Sequence, residues 1–496
     1  MTPLTFGTAG LRGPLGPGRG AMNVDTVVRT TAGLVSWLQA RCLGGSTVVV
    51  GRDARHGSEE FAAATAEVLA AAGFEVVALP RPLPTPVLAF AVRRLRAAAG
   101  VQITASHNPA TDNGYKVYTD GGAQLIAPAD REIERAIEAA GPASAVRRAP
   151  VAPADDALVA EYLARVAALP RGSSRDLRIA LTPLHGVGGD TALAALTAAG
   201  FTDVHTVTRQ FDPDPDFPTV RFPNPEEDGA TDALLELADD VDADLAIALD
   251  PDADRCAVGV PGPDGWRMLR GDETGVLLGD HVLSTAGPDP LLATTIVSSQ
   301  LLAKVAAARG ARFAETLTGF KWLVRAGAGL VYAYEEALGH CVDPEAVRDK
   351  DGISAAVLVA DLAAGLKARG RALQDVLDDY AVEFGVHAGD QVSRRVGHQR
   401  ELEDLMSRLR AALPRSLAGD DVTAEDLLAR RGALRTDAVV LRGDHTRMVV
   451  RPSGTEPKLK CYLEVVVDVD DRSDLERARA EAATRLRELA DYARRL

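Results

Sequence analysis

Along the chain, short runs of consecutive Val, Ile and Leu alternate with longer Ala/Leu stretches whose polar residues recur at helical spacing. The first kind predicts strands buried on both faces, the second predicts helices that cover them. Residues 48–50 read as a strand, followed by a helix over 58–72 capped by Ser58 with Glu59 and Glu60 in its first turn. Gly73 ends that helix and 74–79 form the next strand. A second helix over 86–99 stops at Gly100, and 101–104 form a third strand. The rhythm returns twice. Strands are expected at 177–181, 204–207 and 245–249 with helices at 189–199 and 231–238. Strands are expected again at 294–297, 313–317 and 330–334 with helices at 300–309 and 320–326. Three units of one order, without residue-level identity, hint at an internal repeat and at parallel or mixed sheets.

The last hundred residues break the pattern. Helices are expected at 400–412 and 423–430, strands near 438–441, 448–450 and 458–469, and a charged helix closes the chain, as in a separate α+β domain. Seams are expected at the Ala/Pro-rich 141–153, the Pro/Gly stretch 261–265, and 383–390. With 496 residues and roughly 150 residues per domain, the chain has room for three or four cores.

Composition then narrows the classes. Only 4% of residues are aromatic, so aliphatic and alanine side chains must fill the cores. Fifty-five Lys and Arg face 70 Asp and Glu, a net charge of −15, which disfavours a nucleic-acid or anionic-membrane partner and at first sight an anionic metabolite too. Four scattered cysteines form no CxxC or Cys/His cluster, so neither a zinc site nor a disulfide framework is expected. The sequence carries no signal-peptide pattern and no long uncharged apolar run, and a cytoplasmic protein is the expectation. Lysine is scarce, with seven in all, so each position matters.

Four loops carry candidate chemistry. Thr104-Ala-Ser-His-Asn-Pro109 follows a strand and places Ser106 beside His107, with Lys116 after an expected turn at Asn113-Gly114. A hydroxyl, a base and a cation are the parts of an activated nucleophile, though a polar turn is the plainer reading of a Ser-His pair alone. Asp250-Pro-Asp-Ala-Asp-Arg255 follows the strand 245–249 and offers three carboxylates at alternate positions, a set suited to a hard cation. It is no EF-hand, because Arg255 and Pro261 stand where Gly and Glu are needed. Tyr334-Glu-Glu-Ala-Leu-Gly-His340 brings Glu335, Glu336 and His340 to another strand end, suited to hydroxyl recognition and proton transfer. Arg451-Pro-Ser-Gly-Thr-Glu-Pro-Lys458 packs a guanidinium, two hydroxyls and a glycine into one turn, as phosphate binding requires, without the Walker pattern.

In this order, from Phe6-Gly-Thr-Ala-Gly-Leu-Arg-Gly13 to Lys458, the loops resemble the α-D-phosphohexomutase family of phosphoglucomutases and phosphomannomutases. The resemblance implies four domains around a central cleft, three α/β mixed-sheet domains of similar topology (1–150, 151–262, 263–385) and a C-terminal α+β domain (386–496). It implies a phosphoserine at Ser106 and Mg²⁺ held by Asp250, Asp252, Asp254 and that phosphate. Arg12, His107, Lys116 and Arg255 would surround the transferring phosphoryl group, with Lys116 and His340 as candidate acid/base groups. Thr318, Gly319, Lys321, Glu335 and Glu336 would meet the sugar, and Arg451, Ser453, Gly454, Thr455 and Lys458 would hold the phosphate that is not reacting.

The implied reaction interconverts sugar 1- and 6-phosphates through a sugar bisphosphate, with glucose 1,6-bisphosphate or its cognate as activator. The strings Asp112-Asn-Gly-Tyr-Lys-Val-Tyr118, Glu336-Ala-Leu-Gly339 and Asp349-Lys-Asp-Gly352 look most like the phosphoglucomutase/phosphopentomutase branch, and Phe320-Lys-Trp322 after Thr318-Gly319 is closer to the glucose mutases. Glucose phosphate comes first, with ribose, deoxyribose and mannose phosphates as rivals. Ala337 and Leu338 stand where many members have a serine, which removes or moves one sugar contact. The expected partner is a small sugar phosphate, and the expected assembly a monomer or homodimer. A metal-dependent phosphatase and an inactive sugar-phosphate sensor are the more remote readings. The acidity is compatible with this substrate because local field, rather than net charge, governs phosphate binding. Ser106→Ala is expected to abolish phosphorylation of the protein, read by intact mass after incubation with a sugar bisphosphate; an unchanged phosphorylation level would refute the nucleophile.

Overall fold

The structure, a computed structural model, describes residues 4, 6–7, 10–453 and 458–496. The chain gathers into two compact units, Met1–Ala286 with Leu330–Arg371, and Gly287–Gly329 with Ala372–Leu496. Among the described residues, no helix is long and apolar enough to cross a membrane.

The first unit holds two sheets of the same plan. In one, the strand Thr47–Arg52 lies parallel to Glu75–Ala78 on one side and Ala99–Ile103 on the other. Asp112–Thr119 then returns antiparallel beside Ala99–Ile103 and continues to Gly10–Pro14 and Phe6–Gly7. In the other, Ile179–Thr182 lies parallel to Val204–Thr206 and Leu245–Leu249, and Cys256–Gly262 returns antiparallel beside Leu245–Leu249. The repeat hinted at by the sequence is thus a repeat of topology. Ala99–Ile103 and Leu245–Leu249 are buried at every position, as expected for central strands covered on both faces by helices. The helix Val24–Ala40, which the apolar pattern did not single out, opens at Asn23, whose side chain accepts from the Thr26 N–H at 2.9 Å.

Each sheet makes a hairpin at the same place, between its third strand and the antiparallel strand that follows. Residues 104–111 fill that place in the first sheet and 250–255 in the second. Leu330–Glu335 and Gly339–Cys341 form a third antiparallel pair with residues 336–338 between them. Three of the four chemical loops therefore occupy one recurring topological position, at the carboxyl end of a buried strand.

In the second unit, Leu291–Thr295 runs parallel to Arg312–Thr316. A five-stranded antiparallel sheet is ordered Val386–Arg395, Lys458–Val467, Thr446–Pro452, Val439–Arg442, Thr423–Asp426. Leu402, Leu405 and Met406 of the helix Gln399–Ala411 and Ala478, Ala482 and Leu489 of Leu475–Arg495 share a core with Leu463 and Val465 of that sheet.

Several local expectations are corrected. The helix expected at 423–430 is replaced by the edge strand Thr423–Asp426, because pairing with Val439–Arg442 overrides the helical tendency of a short, mostly exposed segment. Asn113-Gly114 is no turn: both lie inside the strand Asp112–Thr119, opposite Gly13 and Arg12. The reversal comes earlier, where the Asp112 N–H donates to Pro109 O at 3.0 Å. The helix expected at 86–99 spans Thr85–Arg94, since Arg96 takes a left-handed φ of 51° and Ala99 already belongs to the strand. Residues 261–265 are the end and turn of the hairpin joining Cys256–Gly262 to Gly265–Met268. The helix expected at 320–326 spans only Phe320–Leu323, and the strand expected at 294–297 is Leu291–Thr295.

The hairpin 250–255 is clamped from outside. A Cβ on Gly186 would lie 2.4 Å from Pro251 Cα and 2.6 Å from its carbonyl oxygen, so the neighbouring loop can approach only as glycine. Gly186→Ala is expected to destabilise the chain by about 1–3 kcal/mol through overpacking against backbone; thermal unfolding checks this, and an unchanged Tm would refute the packing.

Candidate active site

The hairpin 250–255 begins where the apolar strand Leu245–Leu249 ends, and backbone N–H groups take the carbonyls of residues 250–253. The carbonyl of Asp250 accepts from Ala253 N at 2.8 Å, Pro251 from Val187 N at 2.9 Å, Asp252 from Thr85 N at 2.9 Å and Ala253 from Gly352 N at 3.1 Å. With the backbone held by other segments, the three carboxylates turn to one another, and their oxygens converge within 4.8 Å. All three are essentially inaccessible to solvent.

Burying three like charges demands counter-charge. Lys116, itself buried, donates to Asp252 Oδ2 at 2.6 Å and Asp254 Oδ2 at 2.8 Å. Thr85 Oγ1 donates to Asp252 Oδ2 at 2.6 Å, and Lys350 Nζ lies 3.3 Å from Asp254 Oδ2 and 3.9 Å from Glu335 Oε1. The two lysines divide the cluster electrostatically. Burial presses all three carboxyls upward, but the charge of Lys116, with Thr85 and Arg12, outweighs it and holds Asp252 below the usual carboxylate range. Asp254 is pushed up by burial and Asp252, yet Lys116, Lys350 and Arg255 carry it below as well. Asp250 goes the other way: burial and its two acidic neighbours hold it well above that range, against the pull of Arg255 and Ser106. Asp252 Oδ1 and Asp254 Oδ1 are buried without a hydrogen-bond partner. Oxygen donors alone, with two of them orphaned and facing their neighbours, are a set that a hard divalent cation fits.

Ser106 follows the strand Ala99–Ile103 and takes a left-handed φ of 53°, an uncommon state for serine. Its hydroxyl donates to Asp250 Oδ2 at 2.8 Å and lies 3.2 Å from His107 Nδ1. Arg255 contacts the same Nδ1 and lies 3.6 Å from Asp250 Oδ2. Burial, followed by the charges of Arg255 and Arg12, pushes the His107 imidazole well below its ordinary pKa. A neutral ring that accepts at Nδ1 from Arg255 carries its proton on Nε2, so Asp250 is the acceptor facing the serine proton. Arg12 contributes from the strand Gly10–Pro14, where its guanidinium donates to Asn108 Oδ1 at 3.4 Å. His107, Arg12 and Arg255 are only partly buried, unlike Ser106 and the aspartates, and form the accessible side of the group.

The structure therefore brings together Arg12, Ser106, His107, Lys116, Asp250, Asp252, Asp254, Arg255 and Glu335. It does not bring His340 to them. In the pair Leu330–Glu335 with Gly339–Cys341, His340 stands opposite Tyr334 and Gly339 opposite Glu335. Side chains alternate across strands, so His340 faces away from Glu335. Its ring is fully buried beside Tyr332 and Tyr334, with Nδ1 3.0 Å from Tyr332 Oη. Glu336 lies in the turn, partly exposed. Thr318, Gly319 and Lys321 belong to the second unit, around the short helix Phe320–Leu323. Arg451, Ser453 and Lys458 also belong to that unit, with Ser453 N donating to Lys458 O at 2.8 Å, while Gly454 and Thr455 lie outside the described residues.

Sequence reasoning missed Lys350, although its scarcity as one of seven lysines and the string Asp349-Lys-Asp-Gly352 marked it. Lys350 is aimed by its neighbours. Asp349 accepts from Tyr118 Oη at 2.6 Å and Gln124 Nε2 at 2.7 Å, and Asp351 caps the helix Gly352–Lys367 and accepts from Tyr162 Oη at 2.8 Å. A Cβ on Gly339 would lie 2.3 Å from Lys350 Cδ, so glycine there clears the path of the lysine stem.

A site that sets a hydroxyl against a carboxylate cluster and paired cations is built for phosphoryl transfer. Four domain families match in order along the chain: phosphoglucomutase/phosphomannomutase alpha/beta/alpha domains I, II and III over residues 3–143, 160–262 and 270–384, and the C-terminal domain over 409–484. The chain is 41% identical over 469 residues to a Haemophilus influenzae protein named "Probable phosphomannomutase", covering 93% of this chain and 96% of that one. It is 35% identical over 520 residues to human phosphopentomutase, covering 93% and 85%. A crystal structure of a phosphoglucomutase/phosphomannomutase family protein from Burkholderia thailandensis shares the fold, with a TM-score of 0.74 at 22% identity over 97% of this chain and 96% of that one. This chain belongs to the phosphoglucomutase/phosphomannomutase family, and it is a phosphomutase, an isomerase that transfers a phosphoryl group.

The placement of His340 has a consequence for stability. Burial lowers its pKa from 6.5 to about 3, against a small opposing contribution from the Cys256 backbone. The unfolded chain therefore takes up the proton first; this stability is complete above the ordinary histidine range and is lost as the pH falls, by roughly 1.4 kcal/mol per unit. Between about pH 6 and about pH 4.5, the wild type is expected to lose about 2 kcal/mol more than His340→Phe. Urea unfolding at the two pH values measures it, and parallel losses would refute the assignment.

Proposed function

We propose that the chain is a phosphosugar mutase working through a phosphoserine at Ser106 and a sugar bisphosphate, with glucose 1-phosphate and 6-phosphate as its first substrates. The observation that carries the reading is the Ser106 hydroxyl, 2.8 Å from Asp250 at the head of three convergent carboxylates. Phosphoryl transfer depends on positioning and on neutralising charge on the moving group. Asp250, Asp252 and Asp254, with the Ser106 phosphate, would hold Mg²⁺, and the ion would supply positive charge to the phosphoryl oxygens. Arg12 and Arg255 neutralise that group from the accessible side, and the neutral His107 helps to orient it. Lys116, held protonated by Asp252 and Asp254, serves as a charge clamp and proton donor. Lys350 and Glu335 complete the charge pairing beside Asp254.

Glu335, Glu336, Thr318, Gly319 and Lys321 take the sugar, and Arg451, Ser453, Gly454, Thr455 and Lys458 take the distal phosphate. The bisphosphate then returns its other phosphoryl group to Ser106. The four domains divide near residues 150, 262 and 385, and the enzyme acts in the cytoplasm as a monomer or homodimer, with the sugar bisphosphate as activator. His340 supports its hairpin from the far face and takes no part in proton transfer.

A second reading, a phosphopentomutase acting on ribose or deoxyribose 1-phosphate, is favoured by the 35% identity to the human phosphopentomutase. Mannose phosphate is favoured by the name of the Haemophilus relative. One assay separates them: glucose, mannose, ribose and deoxyribose 1-phosphates, each with Mg²⁺ and a trace of the cognate bisphosphate. Isomer formation, fastest with glucose, is the expected result. No turnover of any of the four, or phosphate release faster than isomer formation, would sink the mutase reading.

A further inference from the structure

Arg55 lies just after the strand Thr47–Arg52, is almost fully buried, and belongs to none of the four loops. Its Nη2 donates to the carbonyl oxygens of Ser106 and Asn108, each at 2.5 Å. Its Nη1 donates to those of Pro109 at 2.7 Å and Asp112 at 3.2 Å. One guanidinium thus gathers four carbonyls of a single seven-residue turn. Arg55 is itself fixed. Asp53 stands 3.4 Å from its Nε and accepts from its backbone N–H at 3.0 Å, and Ser58 Oγ holds Asp53 at 2.6 Å. The ring of Phe217, from the second α/β segment of the same unit, covers the guanidinium at 4.9 Å.

We infer that Arg55 is a positioning residue for phosphoryl transfer at Ser106. It turns the carbonyl dipoles of the serine loop away from the phosphoryl position and holds Ser106 in the left-handed conformation that aims Oγ at Asp250. The hairpin 250–255 offers the comparison. There backbone N–H groups of three other segments and of the turn itself hold the carbonyls of residues 250–253. Among the described residues, no main-chain N–H outside regular helices and strands reaches the carbonyls of Ser106 and Asn108, whereas Pro109 O also takes the Asp112 N–H; the guanidinium fills the place left open. Without it, the carbonyl oxygens of Ser106 and Asn108 would lose their partner or would rotate towards the incoming phosphoryl oxygens. A left-handed serine is strained and persists only where its surroundings over-determine it. Lysine cannot replace arginine here, since a point cation with one nitrogen cannot span four acceptors.

The inference rests on Ser106 being the phosphorylated group, and its test keeps the two apart. Arg55→Met and Arg55→Lys are compared with the full-length wild type in the sugar 1-phosphate assay with Mg²⁺ and bisphosphate. Both variants are expected to lose about 100-fold in kcat, as a displaced reacting group does, while KM for the sugar phosphate stays within about two-fold. Amide hydrogen exchange over residues 105–112 is expected to speed up in both, which is readable without turnover. Full kcat in Arg55→Met, full rescue by Arg55→Lys, or unchanged exchange over 105–112 would overturn the inference. If Arg55→Met does not fold, Phe217→Leu carries the test: kcat lowered several-fold at constant KM supports the positioning role, and unchanged kcat overturns it. A wild type that takes no phosphoryl group on Ser106 refutes the proposed function, and the exchange result then still decides whether Arg55 orders the loop.

Discussion

Buried charge is the constraint around which the first unit is organised. Asp250, Asp252 and Asp254 are withdrawn from water with carboxylate oxygens within 4.8 Å of one another, a placement that costs several kcal/mol per ion unless each finds compensation. Lys116 compensates two of them directly, Lys350 and Arg255 add charge at the margins, and Asp250 remains above the usual carboxylate range. A cluster balanced this closely makes the rest of the architecture legible. The helix starts at Gly352 and Thr85 and the loop at Gly186 all close against the hairpin 250–255, which holds its backbone still while the charges stay paired.

The repeated sheet topology is the device that brings these groups to one place. In each repeat the functional loop joins the third parallel strand to the strand that returns beside it. That junction is a hairpin on a rigid central strand, at the carboxyl end where ligands meet open α/β sheets. One repeat uses it for the serine, the next for the carboxylates, and Glu335 ends a strand that is likewise followed by an antiparallel return. The strands Ala99–Ile103 and Leu245–Leu249 are buried at every position. Their uniformity lets the loops diverge in chemistry without disturbing the core.

Supporting residues matter as much as the groups that touch one another. Lys350 is held between two aspartates that each accept from a tyrosine hydroxyl, Tyr118 on one side and Tyr162 on the other. His340, which the motif made a candidate for proton transfer, faces the opposite side of its hairpin and packs with Tyr332 and Tyr334. Two residues that look alike in sequence, a histidine and a lysine beside acidic loops, thus have opposite fates. Strand alternation decides it: Glu335 and Gly339 share the inward face, which leaves His340 on the other.

The amino-acid sequence determined the strand Leu245–Leu249 to the residue, the alternation of strands and helices, the serine and aspartate loops, and a family resemblance carried by motifs in fixed order. Such features are local. An apolar run, a cap or a density of donors in one turn needs no distant partner to be recognised. The tertiary structure decided what depends on pairing across the chain. It made Thr423–Asp426 an edge strand, drew Asn113 and Gly114 into a sheet, turned His340 away, and brought in Lys350 and Arg55. Arg55 bears no local mark of chemistry and Lys350 only its rarity and its acidic neighbours, because their meaning comes from what lies opposite: four carbonyls, more than fifty residues later, and Asp254, more than ninety residues earlier. Buried charges and carbonyls take their partners from wherever the fold puts them, and sequence spacing does not record that choice.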